Sequence, residues 1–404
     1  MSNVNFTTKK VVIPSPKRDY DCYKMPDGFD VNTQNNIESG YFVFTMMPSL
    51  RCELNCPHCY LSTDERRNSP VMSLEQLQEV MDKVYDYYAD KTDVPVKFLS
   101  FYWYGGEPTQ MGIDYMIAAF KMIEERFTEK DGYHIRHTLL TSLIAVQEYW
   151  FEFFEKWCGG YFQTSFDGLM RGKRYMRDWE RKVKLARSRG ISVGTITVVN
   201  NKILEDTPKG VLDYLVELGI SEASFLPMMR NEQNEAHHYG KYAPSMDQYS
   251  AFMIEFMEYW YELKDKGVSV PAIGQSQYIM SRASTDKNGN IAGQTMFLMP
   301  NGDFTLPDYR DGYTEYMQPF GNIFESDFET VLASKDRRKY LRRQYFANKN
   351  TECIECDKRH QCIMEFWKEN KENDDCFGAK KYVDWLVDRE SRIPVVSLSN
   401  GVMC

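Results

Sequence analysis

Tyr41-Phe-Val-Phe-Thr-Met-Met47 is a strand-like apolar run, and Arg51-Cys-Glu-Leu-Asn-Cys-Pro-His-Cys-Tyr60 follows it at once with three cysteines. A strand feeding a loop of chemically active side chains is how a parallel α/β fold begins. Next, Ser73-Leu-Glu-Gln76 has the Ser-x-x-Gln spacing of a capping box and predicts a helix to about Tyr88. Strands are then expected at Val96–Trp103, His134–Leu140, Gly160–Ser165, Ser192–Val199 and Ala223–Pro227. Helices are expected at Asp114–Phe127, Val146–Trp157, Asp178–Arg189 and Thr207–Leu218. Six strands alternating with helices at this spacing predict parallel βαβ units with right-handed crossovers. Six units are too few for a closed eight-stranded barrel. The pattern by itself leaves both a doubly wound sheet and an open, partial barrel.

Composition narrows the class. The chain of 404 residues favours two or three domains. With 43% hydrophobic and 26% charged residues, a large core is available and wholesale disorder is excluded. The longest apolar runs are under half of a membrane span, so neither a transmembrane helix nor a membrane partner is expected. MSNVNFTTKK has no apolar stretch with a small-residue cleavage site, which points to a cytoplasmic protein. A net charge of −9 argues against a nucleic-acid partner.

Residues 1–40 are polar and broken by Pro14, Pro16 and Pro26, and read as an N-terminal extension. The repeating units occupy 41–270. A helix over Met246–Lys266 carries the stripe Tyr249, Phe252, Met253, Phe256, Met257 and Trp260, which is expected to pack on the barrel flank. Residues 271–404 read as a second, smaller domain holding a Gly/Pro/Asn-rich segment, 286–308, and more cysteines.

Seven of the ten cysteines fall in two clusters, which in an intracellular chain points to metal before disulfides. The first, Cys52-x3-Cys56-x2-Cys59, offers three thiolates, enough for three irons of a [4Fe–4S] cube with the fourth iron left open. A zinc ion borrowing His58, or three unrelated buried thiols, are the alternatives.

This spacing, with the aromatic His58 before the last cysteine, resembles the radical S-adenosylmethionine superfamily. Trp103-Tyr-Gly-Gly-Glu-Pro108 at the second strand's end looks like that family's Gly-Gly-Glu motif. Ser165-Phe-Asp-Gly168 at the fourth resembles its Ser-x-Asp-Gly motif, and Phe225-Leu-Pro227 ends the sixth, where an adenine-packing residue is placed. The resemblance implies a partial (β/α)6 TIM-like barrel binding S-adenosylmethionine at a [4Fe–4S] cluster held by Cys52, Cys56 and Cys59. It implies that Gly105 and Gly106 expose peptide groups to the methionine ammonium and that Glu107 accepts from it. Ser165 and Asp167 would serve the ribose turn, Leu226 would cover the adenine, and His58 would line the cofactor. Ordinary turn or capping carboxylates are the other reading of Glu107 and Asp167. One departure is Thr141-Ser-Leu143, where the third strand of the family usually ends in a Thr-Asn-Gly-like turn.

The second cluster, Cys353-x2-Cys356-x5-Cys362 with Cys376 thirteen residues later, is a complete four-thiolate set for zinc or an iron–sulfur cube. Paired with the first, it resembles the C-terminal SPASM extension of radical enzymes that modify peptides and proteins. That extension usually holds two auxiliary cubes. Here Pro307 and Phe366 stand where ligands of the other cube are expected, so one auxiliary [4Fe–4S] cluster is implied. Asp308 follows the vacated position and is a candidate general base, or else a turn residue in Leu306-Pro-Asp-Tyr309. The resemblance implies an oxidoreductase that cleaves S-adenosylmethionine to a 5′-deoxyadenosyl radical and takes hydrogen from a peptide or protein substrate. Ribosomal-peptide maturation by cross-linking or dehydrogenation would follow, with electrons from a flavodoxin or ferredoxin type donor. The same chemistry on an aminocyclitol or antibiotic intermediate, and a non-catalytic iron–sulfur or zinc protein, are the competing readings.

Overall fold

In the computed structural model, residues 37–283, 291–310, 313–346, 356–358 and 373–391 are described. The N-terminal extension before Ile37, Cys22, Cys353, Cys362 and Cys404 lie outside them. Strands β1 (Tyr41–Met46), β2 (Lys97–Trp103), β3 (Tyr133–Thr141), β4 (Tyr161–Ser165), β5 (Ser192–Val199) and β6 (Glu222–Pro227) pair in parallel, each with the next. A doubly wound sheet reverses its strand order at a switch point, and this order never reverses. The partial barrel is therefore the architecture.

The sheet extends beyond β1. Strand β7 (Arg230–Asn231) pairs with β11 (Tyr313–Asn322), β8 (Ala272–Ile273) borders β6, and β9 (Thr295–Leu298) lies parallel to β1 and antiparallel to β10 (Asp303–Arg310). The full order is β7-β11-β10-β9-β1-β2-β3-β4-β5-β6-β8. This order proves the curl. β6 and β7 stand near opposite ends of the sheet, yet only Met228 and Met229 separate them in the chain. Three extended steps reach about 11 Å. The sheet must roll until its edges almost meet.

Alternation along the strands sorts the two faces. Phe42, Phe44 and Met46 of β1 are fully buried on the outer side. There Phe44 meets Phe101 and Phe304 at ring-centroid distances of 5.7 and 5.4 Å, and Phe42 meets Phe328 at 5.7 Å. Each such ring contributes about 1.5–3 kcal/mol of burial. The inner face is polar. The Tyr102 hydroxyl donates to Gln163 Oε1 at 2.8 Å, and the Tyr161 hydroxyl donates to Glu222 Oε2 at 3.0 Å.

The outer helices are α1 (Thr63–Asn68), α2 (Leu74–Ala89), α3 (Ile113–Arg126), α4 (Tyr149–Trp157), α5 (Lys173–Ser188), α6 (Asn201–Glu205), α7 (Pro208–Glu217) and α8 (Met246–Asp265). Ser73 and Gln76 form the expected capping box of α2. Helix α5 begins five residues before the predicted Asp178, because Gly172 turns the chain at φ 90° and no side-chain cap marks the start. Along α8, Tyr249, Phe252, Met253, Phe256 and Met257 are buried as expected, whereas Trp260 is only partly covered. No helix among the described residues is long and apolar enough to cross a membrane.

Candidate active site

The cysteine loop leaves β1 at the C-terminal end of the parallel sheet, the end where such folds gather functional loops. Backbone contacts hold it in place. The Cys52 amide donates to the Arg66 carbonyl at 2.9 Å and the Cys59 amide to the Cys56 carbonyl at 3.0 Å. Arg66 of α1 donates to the Leu54 carbonyl and to Asn55 Oδ1, and Asn231 Nδ2 donates to the His58 carbonyl at 3.1 Å. Cys52, Cys56 and Cys59 are all without a disulfide and half-buried. Burial pushes the Cys52 thiol up to about 12 and the Cys56 thiol to about 11, and it also raises Cys59. Binding metal must therefore displace protons from these sulfurs.

Among the described residues, no three His, Cys, Asp or Glu side chains already meet at a point that would hold a single ion. A cube makes no such demand, because each sulfur takes a separate iron at a separate corner. Three thiols on one clamped loop are a donor set that fits it.

The turn after β2 lies directly on this loop. A Cβ on Gly106 would stand 2.2 Å from the Arg51 carbonyl oxygen and 2.3 Å from that of Leu50. Gly105 has φ +120°, and the Glu107 amide donates to the Arg51 carbonyl at 2.7 Å. What the two glycines admit here is the backbone of the cysteine loop.

Glu107 departs from the expected open acceptor. Its Oε1 accepts from the Thr109 amide (3.3 Å), the Thr109 hydroxyl (2.6 Å) and the Thr141 hydroxyl (2.6 Å). Its Oε2 accepts from the Ser142 amide (2.8 Å) and the Ser142 hydroxyl. A carboxylate offers about four lone-pair positions, so these five donors saturate it. In this geometry Glu107 latches the β2 turn to the β3 turn, and Thr141-Ser-Leu143 supplies the donors.

Asp167 is likewise an internal node. Its Oδ2 accepts from Arg171 Nε at 2.5 Å and its Oδ1 from the Val198 amide at 2.8 Å. Burial raises the Asp167 pKa, but attraction to the Arg171 guanidinium together with the Val198 amide outweighs it, so Asp167 stays below its ordinary range. His58 Nε2 lies 3.9 Å from Asp167 Oδ2. Burial lowers His58 to about 4, so the ring is neutral, and its buried Nδ1 has no partner among the described residues.

Ser165 ends β4 half-buried on the inner face, paired with Ile196 of β5. Leu226 ends β6 at 38% exposure, while its neighbour Phe225 turns to the other face and packs on Phe252 and Phe256. Exposed Leu226 and the orphaned Nδ1 of His58 are the apolar surface and the unpartnered polar atom that these strand ends offer a ligand. Asp308 lies within β10, opposite Glu315 and beside a register irregularity after Pro307, so it is a strand residue and not part of a turn.

Of the second cluster, Cys356 and Cys376 are described. The Cys376 amide donates to Asp375 Oδ1 at 2.8 Å, and Asp375 Oδ2 accepts from the Ser250 hydroxyl of α8 at 2.6 Å. Asp374 accepts from the Met246 and Asp247 amides at 3.1 and 2.7 Å, capping α8. Sequence reasoning missed Asn231 and this Asp374-Asp375 tether and read Thr141-Ser-Leu143 only as a departure from the family's turn, because their partners lie far away in the chain; Arg171, also missed, lies four residues from Asp167, a spacing that could have revealed it.

No protein-family model matches the chain. A stretch of 145 residues is 23% identical to the uncharacterised protein sll1766 of Synechocystis, covering 35% of this chain and 33% of that protein. The match thus spans about a third of that relative's length. Among solved structures, native anSMEcpe with bound AdoMet superposes with a TM-score of 0.67 at 16% identity, over 87% of this chain and 100% of that one. Native anSMEcpe with AdoMet and the Cp18Cys peptide gives 0.67 at 16%, over 86% and 98%. SuiB of Streptococcus suis bound to its precursor peptide SuiA gives 0.56 at 16%, over 84% and 77%. At these identities the likeness is one of fold. The fold is that of the radical S-adenosylmethionine enzymes. Among these neighbours, anSMEcpe is a radical S-adenosylmethionine enzyme of the SPASM-domain group.

Proposed function

We propose that this chain is a radical S-adenosylmethionine oxidoreductase acting on a peptide or protein substrate. The observation that carries the reading is convergence. The Cys52–Cys59 loop, the Gly105-Gly106-Glu107 turn, the Ser165-Phe-Asp-Gly168 turn and Leu226 all stand at strand C-termini around one mouth. In this reading Cys52, Cys56 and Cys59 hold a [4Fe–4S] cluster, and Cys353, Cys356, Cys362 and Cys376 hold one auxiliary [4Fe–4S] cluster. When bound, the first cluster supplies one low-potential electron to S-adenosylmethionine, yielding the 5′-deoxyadenosyl radical that takes hydrogen from substrate.

The chain's own residues orient and enclose. Leu226 and His58 flank the nucleoside, Ser165 offers a hydroxyl to the ribose, and the Glu107 and Asp167 nodes keep the loops from shifting. The peptide substrate is supported by the peptides bound to anSMEcpe and SuiB and by the second cysteine set. Residues 271–404 would form the domain carrying that set, and a flavodoxin or ferredoxin type protein would supply electrons in the cytoplasm.

The test is anaerobic reconstitution with iron and sulfide, then dithionite and S-adenosylmethionine. 5′-Deoxyadenosine and methionine are expected, together with a product lighter by a pair of hydrogens when a short peptide encoded beside this gene is added. Absence of 5′-deoxyadenosine overturns the reading, and an unchanged peptide overturns the substrate class.

A further inference from the structure

We propose that the outer face of the cysteine loop, around Cys52, is the docking surface for an acidic one-electron donor protein; the inference rests on the function proposed above. Beside the loop lies an open cleft of about 440 Å³ whose walls include Arg51, Cys52, Glu53, Arg66 and Arg67. Of the three cysteines, only Cys52 lines it. Cys56 and Cys59 instead share the interior with Arg171, the partner of Asp167. Electron transfer between proteins weakens steeply with distance. A donor therefore gains most by approaching where a cluster ligand borders an open cleft, and of the three half-buried cysteines Cys52 is the one that does so here.

The charges fit the same partner. The chain carries a net charge of −9, so it repels an acidic protein overall. The cleft reverses that sign locally, with three arginines against the single Glu53. Arg66 is fixed by its bonds to Leu54 and Asn55, which keeps its charge beside the loop. Arg51 and Arg67 are exposed, and Arg67 has no ion pair among the described residues. The acids of α1 keep their charge but do not line the cleft: Glu65 turns back to accept from the Ser62 amide at 2.7 Å and borders another pocket, and Asp64 accepts from Asn68 at 2.6 Å. Weak redox complexes bury little area and rely on complementary charge for orientation and rate. A compact arginine mouth on an acidic protein meets both requirements. In the transfer, the donor is oxidised by one electron and the centre held by Cys52, Cys56 and Cys59 is reduced by one.

The experiment uses the full reconstituted chain and, as probe, a bacterial flavodoxin reduced to its hydroquinone. Calorimetric titration with the oxidised flavodoxin gives Kd at low and high salt, and 5′-deoxyadenosine formation is followed with flavodoxin and, separately, with dithionite. Arg67→Glu is expected to raise Kd and the KM for flavodoxin about tenfold and to flatten the salt dependence. Dithionite-driven cleavage should stay within about twofold of the parent. The control Lys121→Glu, exposed on α3 and outside the cleft lining, makes the same charge change and should leave Kd unaltered. Absence of salt-dependent flavodoxin binding by the parent, an unchanged Kd in Arg67→Glu, or an equal loss in Lys121→Glu overturns the docking surface. So does a parallel fall of the flavodoxin and dithionite arms in Arg67→Glu. Absence of dithionite-driven cleavage in the parent overturns the enzymatic reading instead, which keeps the two failures apart.

Discussion

The Ser142 backbone amide donates to Oε2 of Glu107 at 2.8 Å, joining two turns that are 35 residues apart in the chain. The amide of the same glutamate reaches the Arg51 carbonyl at 2.7 Å. One residue thus couples the ends of β2 and β3 to the cysteine loop. Glu107→Gln keeps the shape but replaces one acceptor oxygen by a donor facing other donors. A loss of about 2–3 kcal/mol in the denaturant stability of the apoprotein is expected, against about 1 kcal/mol for Thr141→Val. Equal losses for the two variants would show that the charge at 107 is not what the turns require.

Gly106→Ala places a methyl against the Leu50 and Arg51 carbonyls, neither of which belongs to a flexible side chain. The loop must retreat, at a cost of about 1–3 kcal/mol. The reconstituted variant should bind less iron per chain than the parent, and iron analysis decides it. Full iron loading would mean that the loop has room that the geometry denies.

His137 is enclosed by Phe101 and Phe120, and its Nδ1 accepts from Trp103 Nε1 at 3.1 Å. Burial lowers its pKa to about 3. Unfolded, it protonates near 6.5, so the unfolded state binds the extra proton between those values. Stability from this residue is complete above about pH 6.5 and is lost as pH falls toward 3, by up to about 1.4 kcal/mol per pH unit. His137→Gln keeps an acceptor but cannot titrate. Urea titrations at pH 6 and pH 4.5 should show a steeper decline in the parent, and parallel declines would refute the assignment.

Asp167→Asn strands the buried Arg171 cation. A loss of about 3–5 kcal/mol is expected from thermal or chemical denaturation, with Asp167→Leu combined with Arg171→Met recovering part of it. If the double variant is no better than the single one, the pair is not a closed electrostatic unit.

Cys56→Ala should abolish S-adenosylmethionine cleavage and remove about half of the bound iron, leaving a second, fully cysteine-ligated centre. Iron counting beside a chromatographic assay for 5′-deoxyadenosine reads both quantities. Undiminished iron would disqualify the loop as a ligand set.

The six parallel strands were legible because their outward-facing residues are apolar and buried under helices, and the units repeat at a regular spacing. Their ends in the structure lie within one or two residues of the predicted ones, as for Ser192–Val199 and Lys97–Trp103. Strands β9 and β10 were not legible. They lie in a stretch punctuated by Gly302, Pro300 and Pro307, and their pairing with β1 and β11 is decided by tertiary contact and not by periodicity. The cysteine loop stood out because its chemistry is local. The nodes at Glu107 and Asp167 did not, because a carboxylate's role depends on which donors arrive from elsewhere. Here they come from Ser142 and Val198, each more than 30 residues away.

The two-residue bridge Met228-Met229 behaves as a short hinge pin across the seam of the rolled sheet. Because it ties one margin to the other, the roll cannot be spread sideways to admit a bulky guest without peeling Arg230 and Asn231 from β11, which would also release the clamp of Asn231 on His58. Anything that enters the roll must then pass along its axis, through the open end where the strand C-termini gather.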